Sequence, residues 1–296
     1  MDNHKTLILT KRKLCKAPRV RKEIGYLHAK SEITAVGYSN PHMRGVTFID
    51  YKSIFIVSKI KRRINKFKRS WDKRFSNREL RNVSDLSAKD YQRLVDSLLK
   101  EIKPDVIIIH EPEWLPFVSS ENKTYKVIFN AHEYYPKQVE TAEWQKKFGI
   151  YYKELYATYL KKLDLLINVS DGIANECLKK YGKSSIVINN AGEYVDAKPK
   201  FISTEPIRLV YHGAATPARN LENIIHAVSQ YPEKFSLDLI VDDKINDYVV
   251  YLRQLAANAT NINVLEQVPY EKIIIQLQKY DLGIHLLPNT CFNHRH

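Results

Sequence analysis

Short runs of apolar, β-branched residues alternate with segments of helical period along most of the chain, and this alternation restricts the fold more than any other feature. Two strands joined through a helix must cross over and therefore lie parallel, and a parallel sheet has to be covered by helices on both faces. The first series predicts strands at Thr6–Leu9, Ile33–Val36, Val106–His110, Val127–Asn130, Leu165–Val169 and Ile186–Ile188. Its helices are expected at Pro18–Ala29, Ile60–Phe75, Asp90–Ile102, Ile150–Leu163 and Gly172–Lys180, the last stopped by Gly182. A polar stretch from Asn190 to Asp196, continuing through Lys198, Pro199 and Lys200, breaks the pattern. It resumes with strands at Leu209–Tyr211, Leu237–Val241, Ile262–Leu265 and Leu282–Leu286 and helices at Leu221–Ser229, Tyr248–Ala259 and Tyr270–Lys279.

A chain of 296 residues exceeds what one hydrophobic core usually serves. Two α/β domains are therefore expected, at 1–190 and 207–296, with a linker at 191–206. The second series stops after four strands, where open doubly wound sheets usually run to about five or six, so the second domain is expected to be incomplete.

The formal net charge is +14, and residues 201–296 contribute nothing to it, holding eight Lys and Arg against ten Asp and Glu. Most of the excess lies in 58–81, where eleven basic residues face only Asp72 and Glu79. Ile60, Ile64, Phe67, Trp71 and Phe75 fall there on one stripe of a helix. A basic amphipathic helix of this kind can lie on an anionic membrane, with Phe67 and Trp71 among the acyl chains and Lys61, Arg62 and Arg63 at the headgroups. The same stripe can equally pack on a sheet, leaving the cations solvated. Nucleic acid is not expected as a partner, because no RNP, KH or zinc-finger pattern accompanies the charge. Cys15, Cys177 and Cys291 have no metal-ligand spacing, and their odd number fits a reducing cytosol. No apolar run reaches the roughly 20 residues of a membrane-spanning helix.

Ligands of open α/β sheets bind at the carboxyl ends of strands, which makes the residues just after each strand informative. His110-Glu111 ends one candidate strand and His132-Glu133 follows the next. Either pair alone is as well explained by strand-end capping. Two pairs on one rim point to a site in which imidazole meets phosphate or hydroxyl and carboxylate binds hydroxyls or acts as base. Neither pair has HExxH spacing, so no metal is expected. The loop from Tyr211 through Glu222 places Gly213 and Thr216 ahead of Arg219 and a helix, an arrangement suited to a diphosphate but shared with plain strand-to-helix turns.

The order of these segments resembles nucleotide-sugar glycosyltransferases of the GT-B fold, in the large retaining group that includes capsule and lipopolysaccharide enzymes. Ala17-Pro18-Arg19-Val20-Arg21-Lys22-Glu23 looks like that group's DPRVxxEA opening, and Glu32–Gly37 looks like its EVTVxG strand. KPDVIIIHEPEWLP from Lys103 and FNAHEYYP from Phe129 are similar to its PDVIHxHE and DAHExxP segments. LVYHGAATPARNLENIIHAV and VPYEKIIIQLQKYDLGIHLLP resemble its donor-side runs.

The resemblance implies two Rossmann-like domains facing across a cleft, the second incomplete. It implies transfer of a sugar from a nucleoside diphosphate sugar to a glycan or polyprenyl-linked acceptor in cell-surface polysaccharide synthesis, without metal or other cofactor. His132, with Glu133, corresponds to the position near the sugar and donor phosphate. Gly213, Thr216 and Arg219 correspond to the donor loop, and His110 and Glu111 to the acceptor side. The setting implied is cytoplasmic, peripheral on the inner face of the plasma membrane. The chain ends at Cys291–His296, ahead of the group's acidic donor-binding segment, so a C-terminally truncated enzyme is expected. Two other readings share the fold: a sugar-nucleotide 2-epimerase, and an inactive paralogue acting as a binding module.

Overall fold

The computed structural model describes residues 4–51, 87–192, 194–196, 198, 205–241, 246–269, 272–289 and 291–296. The basic segment 58–81, with Lys61, Arg62, Arg63, Phe67 and Trp71, lies outside the described residues. The chain separates into two compact units, Met1–Asn190 with Cys291–His296, and Ala191–Thr290.

The first unit is a parallel sheet of seven strands in the order β3-β2-β1-β4-β5-β6-β7. The strands are β1 (His4–Lys13), β2 (Ser31–Tyr38), β3 (Thr47–Asp50), β4 (Val106–Ile109), β5 (Lys126–Asn130), β6 (Leu165–Asn168) and β7 (Ile186–Val187). The apolar run Leu7-Ile8-Leu9 is wholly buried because both of its faces are covered. Leu7 and Leu9 join one core with Ile107, Ile109 and Phe129, under the helices Ala88–Ile102, Ile150–Tyr159 and Asp171–Tyr181. Ile8 points the opposite way, into a smaller core with Val20 and Ile24 of the helix Pro18–His28. Each such fully buried side chain contributes about 1.5–3 kcal/mol. Ser87 starts the helix Ala88–Ile102 with a reciprocal capping box to Asp90, and Gly182, in the left-handed conformation, ends Asp171–Tyr181.

The second unit has four parallel strands in the order β10-β9-β8-β11: β8 (Ile207–Gly213), β9 (Phe235–Val241), β10 (Ile262–Glu266) and β11 (Leu282–Gly283). Its core gathers Leu209, Leu237 and Leu239 with Leu221, Ile224 and Ile225 of the helix Leu221–Ser229 and Leu252 of the helix Asp247–Ala257.

Three features depart from the sequence expectation. The strand Thr47–Asp50 was not expected; it adds to the sheet edge beside β2. The run Leu282–Leu286 is strand only at Leu282 and Gly283, the Ile284 N–H still donates to the Val210 carbonyl at 2.8 Å, and Leu286 is exposed. Residues 291–296, expected in the second domain, belong to the first unit. Phe292 is buried there against the Tyr134 ring at 4.9 Å, and Asn293 Oδ1 accepts the Tyr134 N–H at 2.8 Å. An apolar ring finds cover in that aromatic cluster, which explains the placement. Among the described residues no helix is long and apolar enough to cross a membrane.

Candidate functional site

In each sheet the chain starts at an inner strand and winds outward in both directions. In the first unit the reversal lies between β1 and β4, and in the second between β8 and β11. Loops diverge at such a switch point and leave a crevice at the carboxyl ends of the two strands. His110 and Glu111 follow β4 directly, and Gly213 ends β8.

Glu111 does not stand open in the first crevice. Its Oε1 accepts from the Thr10 hydroxyl at 3.0 Å and from Arg12 Nε at 3.2 Å, while Oε2 accepts the Lys11 N–H at 2.8 Å. Three consecutive residues of β1 are thereby clamped to the end of β4. A buried carboxylate whose oxygens are held by charge-assisted bonds is a strut.

His110 is fully buried. Its Nδ1 lies 3.0 Å from His132 Nε2, and its Nε2 lies 2.9 Å from Glu23 Oε2. That contact is a close electrostatic approach outside hydrogen-bond geometry, and neither His110 Nε2 nor Glu23 Oε2 has a hydrogen-bond partner. The other carboxylate oxygen of Glu23 accepts from Asn130 Nδ2 at 2.9 Å. Glu23 comes from the helix Pro18–His28, Asn130 from the end of β5 and His110 from the end of β4, so the cluster forms only once the sheet is assembled.

His132 is also buried, and it lines a cavity of about 190 Å³ with Arg12, Lys16, Arg19, Glu133 and Asn190. Burial, then His110, Arg12 and Arg19, push its pKa down to about 2, so the ring is neutral. Arg19 Nη1 donates to the His132 carbonyl at 3.4 Å. Burial and repulsion from Arg12 lower the Arg19 pKa, with Glu133 opposing. With Arg12 paired to Glu111, Lys16 and Arg19 still outnumber the Glu133 carboxylate around this small cavity, a balance that favours an anion there. The N-terminus of Pro18–His28 borders the same space and has no side-chain cap, which adds to the positive potential. Sites for drug-sized ligands measure roughly 300–1,000 Å³. This space suits a single phosphate or sugar ring.

The second unit brings Gly213, Thr216 and Arg219 into one loop. Gly213 has φ +156°, and an added Cβ would lie 3.0 Å from Tyr211 Oη. The expected direct entry into a helix is replaced by a 3-10 turn, Pro217–Arg219, and by Asn220 in the left-handed conformation. Thr216 precedes this turn with an exposed side chain, and its carbonyl accepts the Arg219 N–H at 2.9 Å. The first helical N–H, of Leu221, is already bonded to Tyr248 Oη at 2.9 Å, so the helix start is less open than expected. Arg219 Nη1 donates to His285 Nε2 at 3.2 Å, and the His285 ring stacks on Tyr211 at 5.9 Å. His285 follows β11, across the switch point from Gly213.

Sequence reasoning did not single out Glu23, Asn130, Arg12, Lys16 or His285. Pro18 at the start of a helix was a legible signal for the Arg19 end of the cavity, and Glu23 stands at the Glu of the DPRVxxEA-like run, which says nothing of what its carboxylate contacts. Among the described residues no group of three or more His, Cys, Asp or Glu could hold a metal ion.

No protein-family model matches this chain. No curated protein sequence matches it. Solved structures do. A sucrose-phosphate synthase from Thermosynechococcus elongatus is similar with a TM-score of 0.66 at 11% identity, over 95% of this chain and 75% of that one. The lipopolysaccharide outer core galactosyltransferase WaaB in its apo form is similar with a TM-score of 0.55 at 10% identity, over 92% and 70%. A S. aureus TarM mutant in complex with Fondaparinux, alpha-GlcNAc-glycerol and UDP is similar with a TM-score of 0.51 at 16% identity, over 66% of this chain and 40% of that one. At such identities the likeness shows the fold. The chain is an α/β protein with two Rossmann-like domains of the GT-B type.

Proposed function

We propose that this protein is a glycosyltransferase that takes a sugar from a nucleoside diphosphate sugar and passes it to a glycan or polyprenyl-linked acceptor. The observation that carries this reading is the neutral, buried His132 beside two arginines on a sugar-sized cavity at a switch point of this fold. Phosphate and hydroxyl groups are the chemistry that such a mixture recognises. A neutral imidazole binds a sugar hydroxyl without competing with the arginines for the anion.

On the second unit, Arg219 is the group offered to the diphosphate, on the loop in which Gly213 is held against Tyr211 Oη. A guanidinium there stabilises the charge that develops as the nucleoside diphosphate departs, which is the work a metal does in other transferases. Glu133, on the cavity beside His132, is read as a hydrogen-bond acceptor for sugar hydroxyls. The retaining stereochemistry and a role in capsule or lipopolysaccharide assembly rest on the sequence resemblance. The concentration of cations in 58–81 supports an acceptor presented at an anionic membrane surface, on its cytoplasmic face.

Incubation with UDP-, GDP- and ADP-sugars, with and without lipid-linked oligosaccharide acceptors, tests this function. Nucleoside diphosphate release that requires acceptor is the expected result. Conversion of a donor to its 2-epimer without acceptor would replace the reading with an epimerase.

A further inference from the structure

The path Glu23–His110–His132 has a consequence for the group that faces the cavity. Between His132 Nε2 and His110 Nδ1, 3.0 Å apart, one proton has to lie. At the other side of His110, Nε2 and Glu23 Oε2 approach to 2.9 Å, outside hydrogen-bond geometry, and neither has a hydrogen-bond partner. A ring lone pair at that distance from a carboxylate oxygen is repelled, whereas an N–H there is attracted, so the proton belongs on His110 Nε2. In a relay with one proton per ring, His110 Nδ1 is then an acceptor, and the proton between the rings sits on His132 Nε2. His132 Nδ1 is left as a lone pair.

We propose that Glu23 is a positioning residue that acts through His110 to keep the proton of His132 on Nε2, presenting Nδ1 to the ligand as a hydrogen-bond acceptor. The ligand chemistry selected is a hydroxyl donor next to an anion, the latter drawn by Arg12 and Arg19. Asn130 makes the device directional. Because its amide donates to Glu23 Oε1, that oxygen is fixed as an acceptor and the other must serve His110. The charged or titratable groups that face the relay are Arg12 from β1, Arg19 and Glu23 from the helix Pro18–His28, and Glu133 beside His132. The inference deepens the reading of His132 as a ligand-facing group, but its first test does not depend on activity.

That test is a long-range proton–nitrogen NMR correlation on the full chain labelled at histidine nitrogens, which reports the tautomer of each ring. Wild-type His132 is expected as the Nε2–H form at neutral pH. In Glu23→Gln, Oε1 keeps accepting from Asn130 and the new amide NH2 must donate to His110 Nε2, reversing every bond of the relay. His132 should then carry its proton on Nδ1, with a crossover of its two nitrogen resonances. Glu23→Ala offers no group to His110, and the two tautomers of His132 should become mixed. A wild-type His132 protonated at Nδ1 overturns the proposal whether or not the variants fold, and so does an Nε2–H tautomer that persists in folded Glu23→Gln. Failure of the transferase reading would appear separately, as an absence of nucleotide binding with the tautomers as stated.

Discussion

His110 and His132 meet edge to face, 5.1 Å between ring centres, with a ring nitrogen of each 3.0 Å from the other. They end successive parallel strands, and the register of β4 with β5 sets their approach. The buried ring cannot move without breaking contact with Glu23, so the cavity-lining ring is held by the sheet itself.

The first prediction concerns stability against pH. His132 has a folded pKa of about 2 against an ordinary value of 6.5, so below about pH 6.5 the unfolded chain binds a proton that the folded one refuses. Stability should therefore fall with pH in that range, by up to about 1.4 kcal/mol per pH unit. Urea unfolding at pH 7, 6 and 5 measures the slope. In His132→Gln this contribution should vanish, and an unchanged slope there would exclude His132 as its source.

Glu111 is predicted to matter to folding more than to ligand affinity. Glu111→Ala removes the acceptor for Thr10, the Lys11 N–H and Arg12 and should cost about 3 kcal/mol in urea unfolding. A loss below about 0.5 kcal/mol would show that the ends of β1 and β4 are held by other means.

Gly213→Ala should destabilise the second unit by about 1–3 kcal/mol, because φ +156° disfavours any side chain and the new methyl meets Tyr211 Oη. Pairing it with Tyr211→Phe separates the causes in thermal unfolding. Removal of the hydroxyl should relieve the collision and leave the backbone strain.

Lys61, Arg62 and Arg63 provide the membrane test. Sedimentation with vesicles containing phosphatidylserine should bind the protein at low salt and release it at high salt, and charge reversal at all three should weaken binding at least tenfold. Binding unaffected by the reversal would leave those cations as a solvated face.

Much of this architecture was legible in the sequence, because parallel strands buried on both faces leave continuous apolar runs such as Leu7-Ile8-Leu9 and Val106–Ile109. His110 and His132 stood out because strand ends can be located from those runs. Glu111 stood out for the same reason, but its bonds to Thr10, Lys11 and Arg12 could not be read from the sequence. Its partners lie about a hundred residues away, and the sequence does not say which strand flanks β4. Glu23 was hidden for the same reason, since its contact with His110 depends on how the first helix lies over the sheet. Phe292 and Asn293 read locally as the tail of the second domain, and only the aromatic surface around Tyr134 accounts for their place in the first unit.

Calorimetric titration with UDP, GDP and ADP tests the central claim most directly. At least one of these diphosphates should bind, and Arg219→Ala should weaken it tenfold or more, while Glu23→Gln leaves diphosphate affinity within twofold. Absence of binding by all three to folded wild-type protein, or binding indifferent to Arg219, would contradict the account.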